Sequence, residues 1–414
     1  MDTGDTAWML TSSALVLLMT PGLALFYGGM VRAKNLLAML MKNYVAMGVV
    51  TVTWILVGYS LAFSGDWKLG DWGILGDLKL FGLGEFNDRQ LGTDNAVFGL
   101  TIPDAAHMVF QMMFAIITPA LIAGAVAERM KFSAWVWFIG IWSIIVYAPL
   151  AHWVWGGGFI FSQIKAVDYA GGLVVHINAG AAALALVLVL GPRTGWKQTI
   201  IRPNALPLTV LGAGLLWFGW FGFNAGSALA ANGAAANAFV TTQVAAAVAA
   251  MAWVISEQVV HGRPTTLGFA SGAVAGLVAI TPAAGFVSPL WAVVIGIAAG
   301  VLCFTALRIK VAFNFDDSLD VVAVHLVGGI VGALLLGLFA DKAIGGVDGL
   351  FFGAPEQFLR QLASVAVAFG YSFVVSYVLA RILSRTIGLR VSENEERQGL
   401  DITQHHEQAW VLGE

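Results

Sequence analysis

Charged residues are scarce in this sequence. Asp, Glu, Lys and Arg make up 11% of its 414 residues, whereas soluble domains contain about a quarter. No residue between Arg263 and Arg308 is ionised at neutral pH. Hydrophobic residues make up 59% of the chain, and a helix needs about 20 apolar residues to cross a hydrocarbon core of ~30 Å. The composition predicts an all-α polytopic membrane protein surrounded by lipids, with no nucleic-acid partner.

Cysteine is almost absent as well. Cys303 is the only one and lies in an apolar stretch, so neither an intramolecular disulfide nor a cysteine metal cluster is possible. His176 and His325, each in an apolar segment, could with Asp168 or Asp320 form the metal site of a membrane enzyme. Each aspartate is more than a helical turn from its histidine, and no HExxH-type helix is present. We therefore expect no metal, no cofactor and no enzymatic activity.

Charge clusters and Gly/Pro punctuation divide the chain into eleven predicted membrane spans. They run at approximately 8–31, 43–63, 103–127, 132–155, 169–191, 205–230, 236–257, 267–284, 289–307, 319–340 and 361–384. Placing the N-terminus outside puts fifteen Lys and Arg residues on the cytoplasmic side and six outside, as the positive-inside rule requires. We expect a multi-pass protein of the cell membrane with a cytoplasmic C-terminus.

Two apolar segments in corresponding halves of the chain are near copies of each other, and each holds one histidine. They are 174–180 with His176 and 323–329 with His325. Counted from Asp168 at the outer face, His176 lies about 12 Å deep, and His325 lies roughly 7–14 Å from the inner face. A histidine inside a span is usually functional. Spans one to five and six to ten therefore predict an inverted repeat with a midplane site.

The resulting division of the chain is a transmembrane domain followed by a tail. The domain covers residues 1–384, with repeat one at about 8–191, repeat two at about 205–340 and the eleventh helix at about 361–384. The cytoplasmic tail covers residues 385–414, and its charged part, 392–414, is expected to be mostly solvated. The charged run 393–397 within it is expected to cap a helix or to form a docking surface.

Aromatic residues accompany the polar positions of several spans. Trp155 ends the fourth span, Phe110 and Phe114 share one face of the third span because they are four residues apart, and Phe223 and Ser227 lie in a glycine-rich part of the sixth. Aromatic faces bind small cations with about 0.5–2 kcal/mol. The pattern indicates a cation pathway.

These residues resemble the ammonium transporter/methylammonium permease/Rhesus family. The motifs that carry the resemblance occur in order along the chain at 26–29, 124–129, 168–180 with 191–193, 219–227, and 388–391 with 399–401. The last pair resembles the bacterial members. Trp155 favours the ammonium transporter branch, of bacterial or archaeal type, over the Rhesus branch, which lacks this tryptophan.

The resemblance implies a role for each candidate residue. It implies that Trp155, Ser227 and Phe110 form the outer ammonium recruitment site. Phe114 and Phe223 would form a gate of two rings, and His176 and His325 would line the pore. Asp168, and Asp320 in the second half, are expected to be structural and electrostatic. The resemblance further implies a homotrimer that transports ammonium/ammonia and methylammonium, with a P-II-type nitrogen regulatory protein as a possible partner at the cytoplasmic face.

An apolar pore explains selectivity against potassium, because ammonium can lose a proton and potassium cannot shed its charge. The hypothesis is recruitment of ammonium at Trp155 and Ser227, deprotonation there, and passage of ammonia past the two-ring gate through the pore lined by the histidines. Proton transfer is expected to accompany this passage. Electrogenic and electroneutral transport both fit the sequence. An ammonium sensor that signals through the cytoplasmic face, and a channel for urea or water, are the alternatives. The tail reads 405–410 as HHEQAW, a departure from the usual family ending that weakens the expectation of tail regulation.

Overall fold

The computed structural model describes residues 1–84, 99–199 and 201–410. Eleven apolar helices run through this part of the chain, ten of them with 18 or more residues and one, α8, with 15. In chain order they are α1 Thr3–Met30, α2 Ala33–Phe63, α3 Asp104–Ile122, α4 Phe132–Val154, α5 Gly172–Leu190, α6 Leu206–Ala228, α7 Gly233–His261, α8 Thr266–Ile280, α9 Pro289–Ala312, α10 Val322–Phe339 and α11 Pro355–Thr386. The predicted all-α membrane fold with eleven helices is confirmed.

Several helix boundaries differ from the prediction. Helix α2 begins ten residues earlier, because Lys42, taken as a loop charge, is 1% exposed inside the helix. Helices α3 and α8 end about four to five residues earlier, at Ile122 and Ile280. The segments that follow, 123–129 and 281–285, are buried turns. Non-helical backbone is tolerated at membrane depth only where protein or a cavity surrounds it.

The two halves make reciprocal contacts at these turns. The Tyr169 backbone N–H, just before α5, donates to the Pro282 carbonyl after α8 (3.1 Å), and the Ser318 N–H, just before α10, donates to the Ala125 carbonyl after α3 (3.3 Å). Helices α5 and α10 then cross at a glycine, since a Cβ on Gly180 would lie 2.5 Å from the backbone-proximal Cβ of Leu326. Close crossing at small residues is characteristic of membrane helices, and here it brings the two histidine-bearing helices together.

A short hairpin, β1 Asp66–Leu69 and β2 Trp72–Gly76, follows α2 and packs on the end of α4. The Trp153 indole N–H donates to the carbonyl of Ile74 in β2 (2.7 Å). His152 of α4 bonds the Asp66 carboxylate through Nε2 (2.6 Å). The hairpin therefore holds the end of α4, the segment that carries Trp155.

The C-terminal segment forms α12 Glu393–Gln398 and α13 Leu400–His405. Ser392 caps α12 in a capping box, as expected for the charged run. Most of residues 392–410 are exposed or half-buried, as expected for a mostly solvated segment. Four residues depart from this: Glu396, Gly399, Leu400 and Asp401 are buried. The Asp401 carboxylate accepts hydrogen bonds from the backbone N–H groups of Leu37 and Ala38 at the start of α2 (3.1 and 2.8 Å). Asp401 thus caps a membrane helix from the tail.

Candidate functional site

A cavity of 460 Å³ lies at the end of α4 that faces the β-hairpin. It contains all of the predicted recruitment residues, which come from three helices: Phe110, Trp155 and Ser227. Aromatic rings dominate the rest of the lining, and none of the lining residues in the described part of the chain is a lysine or arginine. The cavity therefore offers a cation ring faces without a competing positive charge.

Two hydrogen bonds orient the groups of this cavity. The Trp155 indole N–H donates to the Asp168 carbonyl (2.9 Å), which fixes the ring, and the indole stands edge-on to Phe114 at 5.9 Å and 87°. The Ser227 hydroxyl donates to the Phe223 carbonyl (2.8 Å). Because its proton is engaged there, the Ser227 oxygen is left with lone pairs that can accept a hydrogen bond.

The Phe114 and Phe223 rings lie between this cavity and a much smaller one. Their centroids are 4.2 Å apart, with the planes tilted by 36°, and Phe110 packs edge-on against Phe114 at 4.9 Å. The smaller cavity has a volume of 10 Å³, about the space of one water. The two predicted gate residues are thus in contact and separate a wide aromatic chamber from a narrow apolar one.

The two histidines line the narrow cavity and contact each other. Their Nδ1 atoms are 3.2 Å apart, and the rings lie 5.4 Å apart with an angle of 17° between the planes. A hydrogen bond between these atoms requires one Nδ1 to carry the proton and the other to accept it. The His176 Nε2 atom is buried and has no hydrogen-bond partner within the described residues. Both histidines lie in π-helical turns, which often mark functional sites.

Trp220 is a site residue that the sequence analysis did not select. Its ring stacks on His176 at 5.5 Å and 17°, and its indole N–H donates to the Thr281 hydroxyl (2.9 Å) in the turn after α8. Its position three residues before Phe223 places it on nearly the same helix face. That spacing was the available signal, but the aromatic run of α6 contains several tryptophans and phenylalanines.

Asp168 caps the helix that carries His176. Its carboxylate accepts hydrogen bonds at 2.7–3.3 Å from four successive backbone N–H groups at the start of α5, those of residues 171–174. The four amides are otherwise the unsatisfied donors of a helix start. The geometry agrees with the structural and electrostatic role expected for Asp168.

Asp317, and not Asp320, occupies the corresponding place in the second half. The Asp317 carboxylate accepts from the Val322 N–H (2.7 Å), and it precedes His325 by eight residues, as Asp168 precedes His176. Asp320 instead has a positive φ of 62° and pairs with the Lys310 ammonium at 2.6 Å. Asp317 is therefore the positional counterpart of Asp168, whereas Asp320, for which a structural and electrostatic role was expected, contacts a lysine instead of the helix amides. Burial, with the nearby Asp320 charge, raises the pKa of Asp317 to about 6.

A family model of the Ammonium Transporter Family matches residues 7–410 of the chain. This chain belongs to the ammonium transporter family. It is 51% identical to an ammonium transporter of Mycobacterium tuberculosis (strain ATCC 25618 / H37Rv), over 99% of this chain and 90% of the relative. It is 49% identical to one of Aquifex aeolicus (strain VF5), over 100% and 94%. A solved structure described as a sensor Amt protein has a TM-score of 0.88 and 29% identity, covering 97% of this chain and 98% of that one.

The opposite side of this ammonium transporter family member contains a buried ion-pair cluster. Arg193, after α5, binds both oxygens of Asp316 at 2.8 Å and contacts the Glu128 carboxylate at 3.4 Å. Arg32 also pairs with Glu128, at 2.8 Å. Burial opposes ionisation of both carboxyls, but the guanidinium groups outweigh it, so the pKa values of Glu128 and Asp316 are lower than usual. The cluster ties the loops of the two halves together.

Proposed function

We propose that this chain transports ammonium by recruiting it in the outer aromatic cavity, removing a proton and passing ammonia between Phe114 and Phe223 to the histidine pair. One observation carries the proposal: two rings in contact separate a wide aromatic chamber from an apolar cavity of 10 Å³ that the two histidines line. In the chamber, Trp155 offers a ring face to the cation and Ser227 offers an acceptor to an ammonium N–H.

The apolar channel accounts for selectivity. Moving a bare ion into an apolar environment costs tens of kcal/mol by Born solvation, so an ion that keeps its charge is excluded. Ammonium escapes this cost when it gives up a proton. His176 and His325 share one hydrogen bond through Nδ1. The His176 Nε2 atom, which has no hydrogen-bond partner among residues 1–84, 99–199 and 201–410, supplies a position for ammonia or for the separated proton. Two imidazolium rings would direct two N–H donors at each other, so the pair holds at most one extra proton.

The position of the protein in the cell is part of the same proposal. The cavity with Trp155 faces the outside of the cell membrane, and the ion-pair cluster and the tail face the cytoplasm, with residues 1–384 as the transmembrane domain and 385–414 as the cytoplasmic tail. The helices expose large apolar side chains, such as Phe218, Val259 and Leu359, to lipid or to further copies of the chain, and a homotrimer is part of this proposal. Methylammonium is a second substrate, and a P-II-type nitrogen regulatory protein is the expected cytoplasmic partner.

Sensing is a second candidate function, and one observation favours it. The tail helices dock on the start of α2 and on the loop after α5, where the Glu396 carboxylate accepts from the Thr194 N–H (2.6 Å). Through these contacts, a change near the pore could reach the tail. The similarity to a protein described as a sensor Amt protein is consistent with such a role beside transport.

The test is the current that purified protein in liposomes gives on a solid-supported membrane after an ammonium jump, with potassium as the control ion. We expect a saturable ammonium current that potassium does not evoke, and we expect His176→Ala to abolish selective transport. The matched control is His261→Ala, which changes an exposed histidine at the end of α7. Selective ammonium flux that survives His176→Ala would refute the histidine-centred mechanism. Native protein that gives no current, but takes up ammonia electroneutrally, would remove the coupled proton movement.

A further inference from the structure

The outer cavity is much larger than the ion it is proposed to recruit, and this inference rests on that proposed function. Its volume is 460 Å³, whereas about 10–15 Å³ on the same measure holds one water, and an ammonium ion is close in size to water. Phe161, one of its lining residues, is 59% exposed, so the cavity reaches the surface of the chain. Its volume exceeds that of a cation several times larger than ammonium.

The recruitment residues make different demands on a cation. The Trp155 ring face attracts any positive charge, whether or not the ion carries N–H groups. The Ser227 oxygen acts only on an ion with an N–H to donate, because its own proton is engaged by Phe223. An ion without N–H groups therefore keeps the first interaction and loses the second.

Further groups around the chamber favour a bulky cation. Tyr169 and Phe286 form a second aromatic pair in the lining, with centroids 5.7 Å apart and planes at 84°. Asp168 is the acidic residue among the described lining residues. Aromatic surroundings with an acidic residue and no lysine or arginine among the described lining residues are the environment in which proteins bind quaternary ammonium groups.

We propose that the outer cavity binds small quaternary ammonium ions, of which tetramethylammonium is the simplest, as ligands that are not transported and that compete with ammonium. Such an ion has no proton to lose, so it cannot become neutral before the apolar channel. Its four methyl groups do not fit between two rings in contact or into a channel of 10 Å³. It therefore stays above Phe114 and Phe223.

Binding is measured without transport, by saturation-transfer NMR of the tetramethylammonium methyl protons on the purified full chain. We expect binding to the native protein, and Trp155→Leu to weaken it about 5- to 30-fold, the equivalent of one cation–π contact of about 1–2 kcal/mol. Trp137→Leu is the matched control, since Trp137 is 60% exposed on the same helix and is not part of the cavity lining. Ser227→Ala should weaken displacement by ammonium and leave tetramethylammonium affinity within about twofold.

Competition is then measured on the ammonium current. Tetramethylammonium should raise the half-saturating ammonium concentration and evoke no current alone. An absence of binding, a current carried by tetramethylammonium, or binding that Trp155→Leu leaves unchanged would overturn the inference. If tetramethylammonium binds as expected but ammonium evokes no flux, the inference stands and the proposed transport fails. If ammonium is transported and tetramethylammonium neither binds nor competes, the inference alone fails.

Discussion

Replacing Arg193 with glutamine should destabilise the protein and invert its response to acid. The substitution removes the guanidinium that binds both Asp316 oxygens and contacts Glu128, and it leaves two buried carboxylates with less compensation. Removing one partner of a buried ion pair costs about 3–5 kcal/mol. Arg32 still pairs with Glu128, so most of this cost falls on Asp316.

The pH dependence follows from the direction of the pKa shifts. In the native protein, the pKa values of Asp316 and Glu128 are lowered, so their contribution to stability is present above about pH 4 and is lost as the pH falls through the folded-state values. Without Arg193, burial is less opposed and raises the pKa of Asp316. The variant should then gain stability as the pH falls from 7 to 5, because protonation removes a buried charge.

Thermal unfolding in detergent, followed by the fluorescence of the 15 tryptophans, measures both effects at pH 7 and pH 5. A thiol-reactive dye provides a second reading at pH 7, since Cys303 is buried and reacts on unfolding. Arg397→Gln is the control, because the Arg397 side chain forms an exposed pair with Glu393, and its backbone contact with Lys34 does not depend on the side chain. A native-like midpoint for Arg193→Gln at pH 7, or a midpoint that acid lowers as in the native protein, would refute the reasoning.

Two further predictions concern the channel and the tail. Thr281→Val leaves the buried Trp220 indole N–H without its acceptor, which costs about 1–3 kcal/mol, so the ammonium current should fall. Thr305→Val, at an exposed position, is the control and should have no effect. An unchanged current in Thr281→Val would show that this hydrogen bond does not position the Trp220 ring. Burial lowers the pKa of His405, so tail docking is favoured above its ordinary value of about 6.5 and lost as the pH falls. Proteolysis within 392–410 should therefore become faster as the pH is lowered from 7.5 to 5.5. A rate that does not depend on pH, or the same pH dependence in His405→Gln, would contradict a role of His405 in tail docking.

Much of the architecture was predictable because hydropathy is a local property of the chain. A backbone in lipid must satisfy its own hydrogen bonds, so a long apolar run such as the one around His325 has to be helical. The matching apolar segment around His176 predicts a second membrane helix for the same reason. The early end of α3 was not predictable, since residues 123–127 after Ile122 continue the hydropathy pattern although the backbone turns. For α8 a signal was available, because Thr281 and Pro282 follow Ile280 directly.

The sequence by itself determined the eleven helices and the two halves, and it supplied the candidate residues of the proposed recruitment site, gate and pore. Only the tertiary structure decided which further side chains cap these helices or contact the candidate site residues. Asp317 replaces Asp320 because capping depends on the direction of a carboxylate and the place where the helix begins. Trp220 joins the histidines, and Asp401 caps α2 from a tail more than 360 residues later, because these contacts join segments far apart in the chain. Periodicity and composition describe neighbours along the chain, whereas these interactions exist only once the helices are packed.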